Sequence, residues 1–521
     1  MPLTDRAPRP VAERHAAPAV RTGVGALERL GGWPATLAVA GVAAALRLPA
    51  LDRPRALVFD ETYYVKDAWT LLQLGYEGQW PADPDPAFEA GDVDSYLTEP
   101  SYVVHPPVGK WVIAAGMRLL GAQDPVGWRL GTVVAGVLAV VLLVRVGRRL
   151  LGSTALGALA GLLLALDGTA IVLSRTALLD GVLTTLVLAG AAALLVDRDR
   201  AAARLAAATG PPRAPARWGP WSLWRPWRVV AGVMLGLAVG TKWSALWFVA
   251  LLGLLTVAWD ASARRRAGVV LWWQGTLLRD TVPAFVALVP VAAVTYVATW
   301  AGWLGTSGGY GRSWAADHPG EGVTWLPEPL RALWQYHQQM WTFHTTLDAE
   351  HPYAAHPAGW LLQLRPTSFF YEAPGPAQQV CGADRCSQAV TSLGNPFVWW
   401  LGVAAVVACV WWAVRRRDAR AAVVVGGVAA GWLPWFAYTE RAIFTFYAVV
   451  LLPWLALGVA HAVGRLLAWA DDEPRRSTVR TGLVALAVLV LAATVFFWPV
   501  WTGQVVTFRM WQLRQWLPRW V

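Results

Sequence analysis

Apolar runs of roughly twenty residues recur from Trp33 to Val500, separated by short polar segments rich in arginine. Runs of that length cross a bilayer as helices, because about 20 residues at 1.5 Å each match the hydrocarbon thickness. The pattern predicts spans near Trp33–Leu51, Val126–Val144, Ala155–Leu173, Ala177–Val196, Val282–Trp300, Pro396–Val414, Ala421–Ala437 and Thr481–Val500, with another ending at Arg465. Val229–Trp259 is too long for one straight span, and arginines flank it on both sides. A polar break, "GTKWS" (Gly240–Ser244), lies in its middle, so two short helices forming a hairpin are expected, with Lys242 at the outer turn. A charge at the bilayer centre is costly, which disfavours one long tilted helix. The expected fold is an all-α polytopic bundle of about eleven spans. "HPPVGKWVIAAGMRLLG" (His105–Gly121) is short and amphipathic and predicts an interfacial helix.

Charge orients the bundle. Arg6, Arg9, Arg14, Arg21 and Arg29 precede the first span, which puts its start in the cytoplasm. The segment Asp52 to Val104 carries eleven acids and only three bases, Arg53, Arg55 and Lys66, and belongs outside. Residues 1–30 lack a short apolar core followed by a cleavage site, so a retained, disordered cytoplasmic tail is expected. Residues 31–501 form the transmembrane domain, with outer loops over 52–125 and 302–394, and 502–521 form an outer tail.

Composition agrees. Of 521 residues, 56% are hydrophobic and 15% charged, against about a quarter charged in soluble domains. The net charge of +11 reflects cytoplasmic loops, not nucleic-acid binding. Most of the 34 tryptophans suit interfacial belts. Cys381 and Cys386 fall in the long outer segment, where a small-loop disulfide or two free thiols are both open; Cys409 reads as packing.

This topology brings Arg47, Asp60, Glu61, His105, Lys110, Arg129, Asp167, Arg175, Asp180, Lys242, His344, Arg365 and Arg441 to the outer face. Singly, each has a plain explanation. Arg47, Arg129 and Arg441 suit snorkelling, Asp180 with Arg175 an ion pair, and His105 a turn before Pro106. Their shared sidedness asks for more. Cations there suit an anionic headgroup, and the adjacent carboxylates in "VFDETYY" offer a base. Transfer of a sugar from a lipid phosphate to a hydroxyl uses both, with inversion at the anomeric carbon.

The motifs "VFDETYY", "HPPVGKW", "LDG" followed by "SRTALLD", "GLAVGTKWS", "HTTLDAEHPYAAHPAGWLLQLRPTSFFY", "LGNP" and "ERAIFTFY" together resemble those of protein O-mannosyltransferases, which have a C-type glycosyltransferase fold. The resemblance implies a polyprenyl- or dolichyl-phosphate mannose donor and a Ser or Thr acceptor on a translocating protein. It assigns Asp60 as general base and Glu61 as a partner positioning the acceptor. It relates Arg47, Arg129, Lys242 and, with them, Arg175 to the lipid phosphate. His344, His356, Trp360 and Arg365 fall in a second signature region near the site, with His105, Lys110, Asp180 and Arg441 nearby. The outer loop at 302–394 has no room for the β-trefoil of eukaryotic members, so this resembles the bacterial form, and the abundance of Ala, Arg, Val and Trp suggests an actinobacterium. A multi-pass protein of the cell membrane is expected, surrounded by lipid. No cofactor is implied; a divalent metal stays open, because Asp60 and Glu61 alone supply few ligands. A metal-dependent oligosaccharyltransferase and an arabinosyl- or aminoarabinosyltransferase are the alternative enzymes. A transporter is the alternative of another class.

Overall fold

The structure is a computed structural model and describes residues 30–209, 217–374 and 381–520. The expected tail therefore lies outside the described residues, apart from Leu30. Among the described residues, eight helices are long and apolar enough to cross a membrane: Pro125–Leu151, Leu179–Thr209, Trp243–Arg266, Trp272–Thr299, Pro396–Arg416, Ala419–Ala437, Thr445–Trp469 and Glu473–Trp501. Trp33–Arg47 and Pro226–Val239 are shorter apolar helices. Local chemistry sets several of the starts. Asp124 accepts a hydrogen bond from the Val126 amide and Asn395 one from Phe397, each just before a proline at the first helical position. Gly152, with φ 73°, closes the second of the spans expected from hydropathy.

The hairpin expected at "GTKWS" is present. Pro226–Val239 stops at Gly240, the chain turns through Lys242, and Trp243–Arg266 returns. The two legs are antiparallel, since Arg225 and Arg228 at the start of one reach Asp260 near the end of the other, at 3.0 and 2.7 Å.

The span expected over Ala155–Leu173 is not straight. It is two helices, Thr154–Ala165 and Gly168–Arg175, bent by 62°. The cause is Asp167. One of its oxygens caps the second helix through the Ala170 amide at 3.1 Å. The other accepts from the Asn395 amide at 2.8 Å and from Trp399 Nε1 at 2.9 Å. A buried carboxylate with three donors fixes the chain direction more firmly than a continued helical ladder would.

The all-helical expectation also needs one correction. Three short strands, β1 (Thr367–Glu372), β2 (Cys386–Ser392) and β3 (Val505–Thr507), form an antiparallel sheet in that order. Cys381 and Cys386 form a disulfide at the entrance to β2. The segment 502–521 is thus no loose tail within its described part: β3 pairs with β2, and the buried Trp520 donates to the Gln363 carbonyl at 2.8 Å. Pairing across more than a hundred residues leaves no local pattern to read. The amphipathic Val108–Leu120 helix packs against the Glu61–Leu74 helix, His344 of the Glu328–Thr346 helix bonds the Val104 carbonyl just before Val108, and Phe59 stacks on Phe369 of β1.

Candidate active site

The two carboxylates of "VFDETYY" separate. Phe59 holds a left-handed backbone, φ 51°, unusual for a bulky side chain. Its ring stacks on Phe369 at 4.8 Å and meets Phe444, Phe446 and His351 edge-on. After this turn Asp60 precedes the Glu61–Leu74 helix and Glu61 begins it. Glu61 is wholly buried. It takes Arg129 in a two-pronged contact at 2.9 and 2.8 Å, and accepts the amides of Val58 at 3.0 Å and Ala177 at 2.7 Å. Arg129 spends its remaining donors on the carbonyls of Leu51, Pro54 and Ala56.

The observed partners of four residues differ from those expected. Glu61 has no accessible edge for an acceptor peptide, and Arg129 has no donor left for a phosphate. Arg47 is equally enclosed: it bonds Ser174 Oγ and the carbonyls of Leu164 and Ala165. Arg175 binds the carbonyls of Arg47, Pro49 and Ala50. These arginines cap helix ends and loop carbonyls, satisfying acceptors that burial would otherwise leave unpaired. Lys110 is buried against Glu77, with Asp67 at 3.9 Å. Burial pushes the Asp67 carboxyl up to about 7. Trp360 is an enclosed wedge donating to the Ala355 carbonyl, Arg365 holds the Pro352 carbonyl at 2.9 Å, and exposed His356 accepts the Ala358 amide. None of these three lines the cavity described next.

The remaining candidates converge. A cavity of about 410 Å³ is lined by His105, Asp180, Lys242, His344 and Arg441, with Trp243, Trp247, Trp341, Tyr438 and Tyr447 around them. Its other walls, including Leu246, Phe248, Ala430, Gly431 and Val450, are apolar. Lys242 Nζ pairs with Asp180 at 2.7 Å and lies 4.7 Å over the Tyr447 ring. Asp60 is half-buried beside this group, and Tyr64 Oη donates to it at 3.3 Å. Burial pushes its carboxyl up to about 6; the Lys242 charge pulls it down, Asp180 pushes it up, and the Tyr64 bond lowers it. A carboxylate with that affinity can take and release a proton near neutrality. Among the described residues no three His, Cys, Asp or Glu side chains gather as a metal site.

Tyr64, Trp243 and Tyr447 also belong to this group, beyond the residues expected from the sequence. Each lies inside a quoted motif, "VFDETYY", "GTKWS" or "ERAIFTFY", so the signal was in the flanking aromatics.

Residues 37–304 match the family model described as dolichyl-phosphate-mannose-protein mannosyltransferase, and residues 329–520 that of the C-terminal four-transmembrane region of protein O-mannosyltransferase. The chain is 37% identical over 508 residues to a polyprenol-phosphate-mannose–protein mannosyltransferase of Mycobacterium tuberculosis, covering 95% of this chain and 93% of the relative. The chain belongs to the protein O-mannosyltransferase family. A second member, from Corynebacterium glutamicum and bearing the same name, is 31% identical over 478 residues, 89% of this chain and 88% of the relative. The fold is shared with the S. cerevisiae protein O-mannosyltransferase Pmt1-Pmt2 complex bound to the sugar donor: TM-score 0.71, 13% identity, 94% of this chain and 92% of that one. ArnT from Cupriavidus metallidurans is more distant, with TM-score 0.50, 18% identity and coverage of 91% and 77%. This mannosyltransferase-family chain is therefore a multi-pass membrane glycosyltransferase of the C type.

Proposed function

We propose that this enzyme transfers mannose from polyprenyl-phosphate mannose to Ser or Thr hydroxyls of polypeptides crossing the cell membrane. The reaction faces the outside, with the chain's N-terminus in the cytoplasm. The observation that carries this is the shared cavity: Lys242 and Arg441 line it together with apolar walls, and the half-buried Asp60 lies beside Lys242. A molecule with an anionic head and a hydrocarbon tail matches that division. The curated relatives' names supply the donor and the acceptor class.

In the step, Asp60 takes the proton from the acceptor hydroxyl. The hydroxyl oxygen attacks the anomeric carbon from the face opposite the phosphate. The bond from that carbon to the phosphate oxygen breaks, and its electron pair leaves with polyprenyl phosphate. Lys242 and Arg441 stabilise the growing charge on the leaving group, and configuration inverts. Lys242 is paired with Asp180, and Arg441 lines the cavity without a carboxylate partner among the described residues, so its charge is available to the phosphate.

The test is transfer in vitro from polyprenyl-phosphate mannose to a Thr/Pro/Ala-rich peptide. Asp60→Asn keeps the shape and removes the base, and should cost about 10²–10⁴-fold in turnover. Wild-type turnover by a folded Asp60→Asn protein would overturn the assignment.

A further inference from the structure

His344 lies in the last turn of the Glu328–Thr346 helix and faces the cavity. Its two ring nitrogens do different work. Nε2 sits 2.8 Å from the Val104 carbonyl oxygen. A carbonyl can only accept, so Nε2 carries the proton and Nδ1 presents a lone pair. Arg441 Nη1 donates to that lone pair at 3.1 Å and to the His344 carbonyl, also at 3.1 Å. The ring is braced by His105, stacked at 5.3 Å, and by Trp243, edge-on at 5.8 Å.

With Nη1 committed to His344, the rest of the guanidinium is unspent. Arg441 Nε is buried and has no partner among the described residues. Nη2 likewise makes no protein hydrogen bond among them. Nε and Nη2 form one edge of the fork, the edge that matches two oxygens of a phosphate. The other walls of the same cavity are apolar, and a group that matches both regions is a phosphate carried on a long hydrocarbon.

We infer that His344 is a positioning residue: as a neutral acceptor it turns Arg441 so that the Nε–Nη2 edge grips the phosphate of the polyprenyl lipid. The identity of that lipid rests on the transfer reaction proposed above. A protonated ring would lose the lone pair and repel Arg441. Burial, with the nearby Arg441 and Lys242 charges, pushes the His344 ring down to about 4, so it stays neutral at working pH.

The experiment titrates the purified protein in nanodiscs with polyprenyl phosphate. Binding is followed by the fluorescence of Trp243, Trp247 and Trp341 in the cavity wall, with polyprenol and inorganic phosphate as controls. His344→Leu should weaken polyprenyl-phosphate binding about tenfold, with the KM for acceptor peptide unchanged. His344→Asn puts an acceptor oxygen near the Nδ1 position and should bind within about threefold of wild type. Arg441→Lys keeps the charge without the fork and should fall about tenfold; it decides the matter should His344→Leu not fold. Binding by folded His344→Leu or by Arg441→Lys at wild-type strength overturns the inference. So does Asn no better than Leu, or wild type binding polyprenol as tightly as polyprenyl phosphate. The binding readings are independent of turnover. Absence of mannosyl product with the binding pattern intact would reject the transfer reaction and leave the role of His344 standing.

Discussion

At the scale of residues, neighbouring side chains of the same type have opposite fates. Asp60 and Glu61 differ by one methylene and one position, yet one is half-buried beside Lys242 and the other is sealed against Arg129. The left-handed turn at Phe59, clamped by aromatic rings, makes that division. Below about pH 6 Asp60 is protonated and is no base, so transfer should fall as pH drops through about 6. Tyr64→Phe removes a bond that favours the ionised form, so it should move this acid limb to higher pH; a pH–rate profile at saturating donor measures it, and an unmoved limb counts against the contact. Glu61→Gln or Arg129→Met leaves the other partner charged and enclosed, which costs about 3–5 kcal/mol when a buried pair is broken. Both should lower the thermal midpoint sharply; folded protein with only a raised donor KM would return Arg129 to the phosphate. The sequence marked these charged positions well. It could not say which way each pointed, because that depends on one backbone dihedral and on the rotation of each helix about its axis.

At the scale of elements, the breaks matter more than the spans. The break at Gly240–Lys242 was legible, since a lysine and a polar pentapeptide interrupt an overlong apolar run flanked by arginine. The hairpin is locked at its far end by Arg225 and Arg228 against Asp197 and Asp260. That clamp fixes where the turn, and so Lys242, sits. The 62° bend at Asp167 was not legible, because its other partners, Asn395 and Trp399, lie more than two hundred residues away. Asp167→Ala should lose the helix cap, about 1 kcal/mol, and leave two further donors buried without an acceptor. The expected result is a lower melting temperature at neutral pH; an unchanged one would show that the bend does not depend on the carboxylate.

For the whole molecule, the two ends of the bundle differ in chemistry. The Pro125–Leu151 helix has Arg129, closed into the Glu61 site, near its start and Arg145, Arg148 and Arg149 toward its other end. Its 27 residues span about 40 Å, so the candidate site and the arginine-rich loops stand a bilayer apart. The proposed orientation is tested by single cysteines in a Cys409→Ala background. Asp94→Cys should react with a membrane-impermeant maleimide on intact cells, and Arg266→Cys only after permeabilisation. The reverse pattern would overturn the outward-facing site. With cations from the chain itself facing the cavity and no gathered ligand set among the described residues, EDTA should leave turnover within about twofold of control; loss of activity restored by a divalent cation would overturn that expectation.

The class of molecule is legible along the chain: apolar run lengths are set by bilayer thickness, and arginine placement by membrane sidedness, so both are written locally. The chain also marks the residue set from which the site is drawn, because ionisable groups beside apolar spans are too costly to be random. Which of those groups reach the cavity is set by the three-dimensional packing. Arg129 is consumed by carbonyls and Glu61, and Arg47 and Arg175 are held by backbone carbonyls away from the cavity, while Lys242, His344 and Arg441 face it. Hydrogen-bond saturation depends on partners brought from distant segments, and no count of charges along a chain can supply it.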